Sequence, residues 1–161
     1  MILCKNSGFT LWEMMTAIGI IAVISTIAMP NFLGWIPKYR LGSATRDLLS
    51  ALQYARLTAV KYNVDVQVKF YPDQENFFRV FTDYDGDKYQ DADEPTIKYS
   101  TMPAGVYLKE TNFSSDTFKF NGRGLASGSG GTISIANNSN DLTKIRVNRT
   151  GNSRILREDE N

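Results

Sequence analysis

The chain has 161 residues, enough for one domain with a single hydrophobic core. Eighteen basic residues against seventeen acidic ones leave a net charge of +1, which excludes capture of nucleic acid by overall charge but not by a local patch. There is no His and the only Cys is Cys4, which excludes the commonest general base, an intrachain disulfide and a thiolate zinc site, and leaves little room for an enzyme.

Chemistry begins at the N-terminus. Met14 to Met29 reads MMTAIGIIAVISTIAM without a charge. Extended back over Phe9, Thr10, Leu11 and Trp12, the run reaches about 20 residues, the length that crosses a hydrocarbon core of about 30 Å. Only Glu13 interrupts it. A secretory signal has a shorter apolar core followed by a cleavage site. A soluble amphipathic helix needs a polar face, and a plain membrane anchor leaves Glu13 unexplained. A carboxylate in an apolar span costs at least a few kcal/mol, so Glu13 reads as functional.

The segment Gly8-Phe9-Thr10-Leu11-Trp12-Glu13 resembles the class III signal of type IV prepilins and type II secretion pseudopilins. The resemblance implies a leader over residues 1–8, with Lys5 as its basic residue. It also implies cleavage between Gly8 and Phe9 by a prepilin peptidase, and N-methylation of Phe9. A Gly at the cut leaves the backbone open to a protease. The new amine on Phe9 is cationic, and Glu13 of a neighbouring subunit is placed to neutralise it during assembly. Lys5 on the cytoplasmic side sends the C-terminal domain outward. Pro30 ends the apolar run at the position where pilins kink or locally melt their first helix, with an assembly role or only as a helix end. Pro37 predicts a second kink or break. Trp12, where the family mostly has an aliphatic residue, and Trp35 sit near the two ends of the run as interfacial aromatics do.

From Ser43 to Asn63, apolar Ala44, Leu48, Leu52, Ala55, Ala59 and Tyr62 recur at helical spacing, with Ser43 or Thr45 as candidate caps. The spacing predicts an amphipathic helix, continuous or nearly so with the first. Tyr54-Ala55-Arg56 reads as helix face plus a solvated Arg. Strand patterns follow at about ten-residue intervals: 65–71, 77–82, 96–100, 106–110, 117–121, 132–136, 144–148 and 153–157. The stretch LLSALQYARLTAVKYNVDV is similar to the start of the globular domain in the GspH/FimT family of minor pseudopilins and minor pilins. The expected fold is α+β and pilin-like: a long N-terminal helix, membrane-spanning in its first half, packed through its second half on a mostly antiparallel sheet domain. The expected organisation is a leader over 1–8, a transmembrane and filament-core helix over 9–35, and a periplasmic domain over 36–161. Residues 122–131 read as a flexible Gly/Ser loop without the Lys-[Ser/Thr] of a phosphate loop.

Two clusters remain. Counted from Asp83, carboxylates Asp83, Asp85, Asp87, Asp91 and Glu94 occupy positions 1, 3, 5, 9 and 12 of a calcium-loop register. Lys88 stands where that loop needs Gly, and the flanks are strands, so a polar hairpin loop is the other reading. Lys144, Arg146, Arg149, Arg154 and Arg157 crowd the C-terminal end. On alternating strands Lys144, Arg146 and Arg149 share a face. Minor pilins of the FimT type bind DNA through a C-terminal Gly-Arg-x-Arg, matched here by Gly151-Asn152-Ser153-Arg154 with Asn152 in place of the first Arg, and followed by acidic residues that repel phosphate.

The resemblance implies a minor pseudopilin or minor pilin, not an enzyme, that initiates or caps a type II secretion pseudopilus or type IV pilus. Its partners would be other pilins, the prepilin peptidase and inner-membrane lipid, with DNA as the alternative ligand. It implies a bacterial inner-membrane location with one membrane pass and a periplasmic C-terminal domain, and no cofactor; calcium is the one candidate that the register of the acidic loop offers, and loops of this type recur in the family without requiring metal.

Overall fold

The computed structural model describes residues 8–72, 76–128 and 130–156, apart from the side chains of residues 27 and 30–33. The order is one long helix, α1 (Leu11–Tyr62), then β1 (Asp65–Tyr71), β2 (Phe77–Asp83), β3 (Thr96–Thr101), β4 (Val106–Thr111), a 3-10 turn (Ser114–Asp116), β5 (Thr117–Phe120), β6 (Gly130–Asn137), β7 (Leu142–Asn148) and β8 (Ser153–Leu156). The chain divides into two compact units, Met1–Ile36 and Pro37–Asn161.

Helix α1 starts with a capping box. The Thr10 hydroxyl accepts a hydrogen bond from the Glu13 amide at 3.2 Å, and Glu13 Oε2 accepts from the Thr10 amide at 2.8 Å. It ends in a Schellman turn, where Asn63 takes the left-handed φ of 52° and the Val64 amide donates to the Ala59 carbonyl at 3.2 Å. The helix runs without a break past Pro30 and Pro37, so the break expected at Pro37 is absent. Each proline removes one backbone bond from the ladder, and the turns on either side carry the helix across. Continuity also removes the need for a cap at Ser43 or Thr45. Thr45 is buried inside the helix, and its hydroxyl donates back to the Leu41 carbonyl at 2.8 Å.

In the first unit the apolar side chains face outward all round. Leu11, Trp12, Met14, Ile18, Ile21, Ile24 and Met29 are all exposed. Among the described residues no helix is long and apolar enough to cross a membrane. The spanning segment expected over 9–35 includes residues 27 and 30–33, whose side chains lie outside the described ones.

The second unit holds the core. From α1 it receives Leu41, Ala44, Leu48, Ala51, Leu52, Ala55 and Ala59, spaced three and four residues apart on one face. Alanines at four of these positions let the helix lie close to the sheets. Tyr62, expected inside, is exposed; it sits at the helix end with Lys61 Nζ over its ring at 4.8 Å. Against the helix lie two four-stranded sheets, in orders β3-β2-β1-β5 and β4-β6-β7-β8, with every strand pair antiparallel. Alternation sends Val66, Val68 and Phe70, and Ile133, Ile135, Ile145 and Val147, to the core.

Arg56 corrects the reading of a solvated side chain. Its Nε donates to the Gly124 carbonyl at 3.0 Å and its Nη2 to the Thr150 carbonyl at 3.1 Å. One helix residue thus holds the β5–β6 loop and the β7–β8 hairpin. Both loops come close enough to the clamp to require glycine: Gly124 and Gly151 have φ of 73° and 78°, and a Cβ on Gly151 would collide with the Gly124 carbonyl. The Gly/Ser loop is tied down further by bonds from the Ala126 amide to the Arg149 carbonyl and from the Ser127 amide to the Lys119 carbonyl.

Candidate functional site

At the N-terminus the Gly8–Phe9 peptide lies in the non-helical segment ahead of α1. Phe9 is 85% exposed, and among the described residues nothing lies within 4 Å of the place a Gly8 side chain would occupy. Four residues on, Glu13 Oε2 takes both Thr10 donors, the amide and the hydroxyl, each at 2.8 Å. Oε1 accepts no hydrogen bond among the described residues. The Thr10 amide follows the Gly8–Phe9 bond, so removing the leader leaves this cap intact. Pro30 lies within α1, and Lys5 lies outside the described residues.

The acidic loop joins β2 to the edge strand β3. It brings together only three of the five carboxylates expected to act as one: Asp83, Asp85 and Asp87 each place an oxygen within 4.8 Å of the others. Glu94 is turned inward. It is buried, with Oε1 accepting from the Tyr84 amide at 2.7 Å and Oε2 from the Asp91 amide at 3.1 Å. Asp83 is also buried, accepting from Gln67 Nε2 at 2.6 Å and from the Gly86 amide at 2.7 Å. Asp85 and Asp87 cap the amides of Asp87 and Tyr89. The carboxylates therefore act chiefly as acceptors for the loop's own backbone. Asp91 stays outside the trio, and its carboxyl is held above the ordinary range, first by the charge of Asp87, then by desolvation and by Asp85, Glu94 and Asp93.

On the second sheet, the register sets Arg146 directly opposite Arg154, and Lys144 opposite Leu156. Lys144 and Arg146 point to the face away from Ile145 and Val147. Arg149 does not join them. It lies past the end of β7 and its Nε donates to the Gly128 carbonyl at 3.3 Å. Arg157 lies outside the described residues. A cleft of about 350 Å³ runs along this face, lined among others by Glu110, Thr132, Ser134, Lys144, Arg146 and Leu156.

The sequence reading missed a third surface. On the outer face of the first sheet Tyr71 stacks on Phe77 at 4.2 Å, Phe77 meets Tyr99 at 5.0 Å, and Arg79 and Lys69 lie over ring faces. The only sequence signal was Tyr, Phe, Lys and Arg at alternate positions of β1 and β2.

The chain thus joins a helix whose described apolar side chains are exposed to a helix-on-sheet domain of two antiparallel sheets. Residues 44–151 match the family model described as type II transport protein GspH, and residues 3–29 match the prokaryotic N-terminal methylation motif. The chain belongs to the GspH family, whose members are minor pseudopilins and minor pilins and not enzymes. With its prepilin motif it is of the membrane-anchored kind with a periplasmic domain. The fold is similar to that of the type IV minor pilin FimU of Pseudomonas aeruginosa, with a TM-score of 0.61 at 16% identity over 76% of this chain and 92% of that one. It is also similar to the minor pseudopilin EpsH of the type 2 secretion system of Vibrio cholerae, with a TM-score of 0.56 at 14% identity over 73% of this chain and 96% of that one. No curated protein matches the chain.

Proposed function

We propose that the chain is a minor filament subunit, cut between Gly8 and Phe9, N-methylated on Phe9, and used with other pilins to initiate or cap a pseudopilus or pilus. The observation that carries this reading is the Glu13 carboxylate. One oxygen holds the helix cap, and the other is left to meet a cation at the head of an exposed apolar helix. The methylated amine of Phe9 on an adjacent subunit is a cation of the right kind, and pairing relieves the cost of burying either charge. Before assembly the same segment, residues 9–35, is held by the inner membrane in one pass with the second unit in the periplasm. Exposed apolar residues on every side need a cover, which lipid supplies first and neighbouring helices later. Pro30 spends one backbone bond at the end of this segment, which weakens the ladder where local melting would occur.

The test is the mass and N-terminal residue of the full chain produced with a prepilin peptidase, beside Gly8→Arg. Loss of residues 1–8 with N-methyl-Phe9, abolished in the variant, is the expected outcome. An intact Met1 in both removes the reading.

DNA at the second sheet is the alternative, favoured by the Arg146–Arg154 pair beside Lys144. It predicts duplex binding that weakens steeply with salt and is lost in Arg146→Ala. A calcium ion in the acidic loop is favoured by the Asp83, Asp85 and Asp87 trio, and a rise in Tm on adding calcium, absent in Asp85→Asn, is its test.

A further inference from the structure

We infer that the open edge of β3 takes up an extended segment of a different pilin subunit as an added strand, seated in the groove between β3 and α1. The inference rests on the filament-subunit reading and names one contact of the assembly. β3 and β5 are the edges of the first sheet, and β4 and β8 those of the second. The chain itself closes two of them. The Asn76 side chain stands in for a strand beside β4, its Oδ1 accepting from the Leu108 amide at 2.9 Å and its Nδ2 donating to the Val106 carbonyl at 3.5 Å. Beside β5, Ala126 bridges to Phe120, and the Ser127 amide donates to the Lys119 carbonyl at 2.9 Å. β8 is only four residues long and carries Arg154. Short or charged edges resist a further strand.

β3 has six residues and no such guard among the described residues. Thr96, Ile97, Tyr99 and Thr101 are strand formers, and the one charge is turned inward. Lys98 Nζ pairs with Asp47 of α1 at 2.7 Å, and the Ser100 hydroxyl donates to the same carboxylate at 3.0 Å. The Met102 amide donates to the Asn76 carbonyl at 2.8 Å, so alternation turns the amides and carbonyls of Tyr99 and Thr101 away from β2. Both residues are exposed. Inside this edge lies a cleft of about 180 Å³, lined by Ser43, Ala44 and Asp47 of α1 together with Phe78, Ser100 and Met102. A bare ladder beside a side-chain pocket suits an extended peptide, whose backbone supplies affinity while the pocket selects the side chain. With buried Ala44 and Phe78 in its wall, this pocket takes a small apolar one. Exposed Asp91 and Asp93 flank the Thr96 end, so the segment carries a basic residue there. A second β3 would bring another acidic loop in place of that cation, and the neighbours of an initiating or capping subunit are other pilins.

The test uses the full chain, processed to Phe9 and held in detergent, with a short blocked peptide of alternating valine and threonine carrying lysine at each end. Binding should slow hydrogen exchange at Tyr99 and Thr101. N-methylating the valines or the threonines blocks opposite edges of the peptide, so one of the two methylated peptides should lose binding and the other keep it. Thr101→Pro removes an outward amide, leaves the bonds to β2 in place, and should weaken binding about tenfold. Circular dichroism checks its fold, and Tyr99→Lys, which charges the edge, gives the same reading if the proline variant unfolds. In cells that assemble the filament, a photoreactive benzoyl-phenylalanine at position 99 should link to a strand of another pilin, with about a tenth of the yield in Thr101→Pro. Chains processed to Phe9 that show no protection of β3, equal binding of both methylated peptides, or a link unmoved by Thr101→Pro overturn the strand inference alone. A link to a second copy of this chain or to a secreted protein overturns it as well. An unprocessed Met1 terminus overturns the filament reading and this inference with it.

Discussion

Replacing Arg56 with Ala tests whether one helix residue holds both loops of the second unit. The variant loses a partly buried bond to the Gly124 carbonyl and an exposed one to the Thr150 carbonyl. A bond from a charged donor contributes about 1.5–3 kcal/mol and an exposed one about 0.5, so the expected loss is about 2–3 kcal/mol. For a unit of this size that lowers Tm by about 6–12 °C. Arg56→Lys keeps the charge but not the fork, and recovers about half of the loss. Thermal unfolding of the full chain in detergent gives the stability. Hydrogen exchange followed by mass spectrometry locates it: protection should fall first in the peptides containing Gly124 and Thr150. Arg46, exposed on the same helix, serves as the control. A loss in Arg56→Ala no larger than in Arg46→Ala, or exchange unchanged at both loops, refutes the clamp.

Leu48→Ala removes a side chain with no exposed surface from the centre of the helix–sheet core, and should cost about 3–5 kcal/mol in urea unfolding. Thr10→Ala opens the capping box and should cost about 1 kcal/mol in helix stability, read as faster exchange of the first-turn amides of α1. Asp91→Asn should raise Tm at neutral pH. Because the folded-state pKa of Asp91 is raised, the native state holds the proton more tightly than the unfolded one, and stability falls as pH rises through that pKa. The gain from Asp91→Asn should therefore shrink as pH falls below it, where the carboxyl of the parent chain is protonated, and a gain independent of pH refutes the repulsion.

Much of the fold was legible because its signals are local. All eight strand patterns correspond to strands, since alternation with a period of two is written residue by residue. The helix face from Ala44 to Ala59 was legible for the same reason, at a period of three and four. The GspH segment and the Gly8-to-Glu13 signal needed only neighbouring residues, and the family matches cover both. Sequence reasoning failed where a side chain's role depends on partners far along the chain. Arg56 reads as solvated until positions 124 and 150 are brought beside it. Glu94 reads as a cation ligand until its oxygens are found on the amides of Tyr84 and Asp91. Thr45 reads as a cap until the helix is seen to pass through it.

Local order in this chain, including the helix, the strands, the processing signal and the carboxylate at position 13, follows from periodicity and short-range chemistry that the sequence carries by itself. Tertiary structure alone decided which strands are neighbours, how they divide into two sheets, and which charges meet across them. Those choices depend on register and packing between residues tens of positions apart, as with Arg146 opposite Arg154 and Lys98 Nζ at 2.7 Å from Asp47, and no window along the chain contains them.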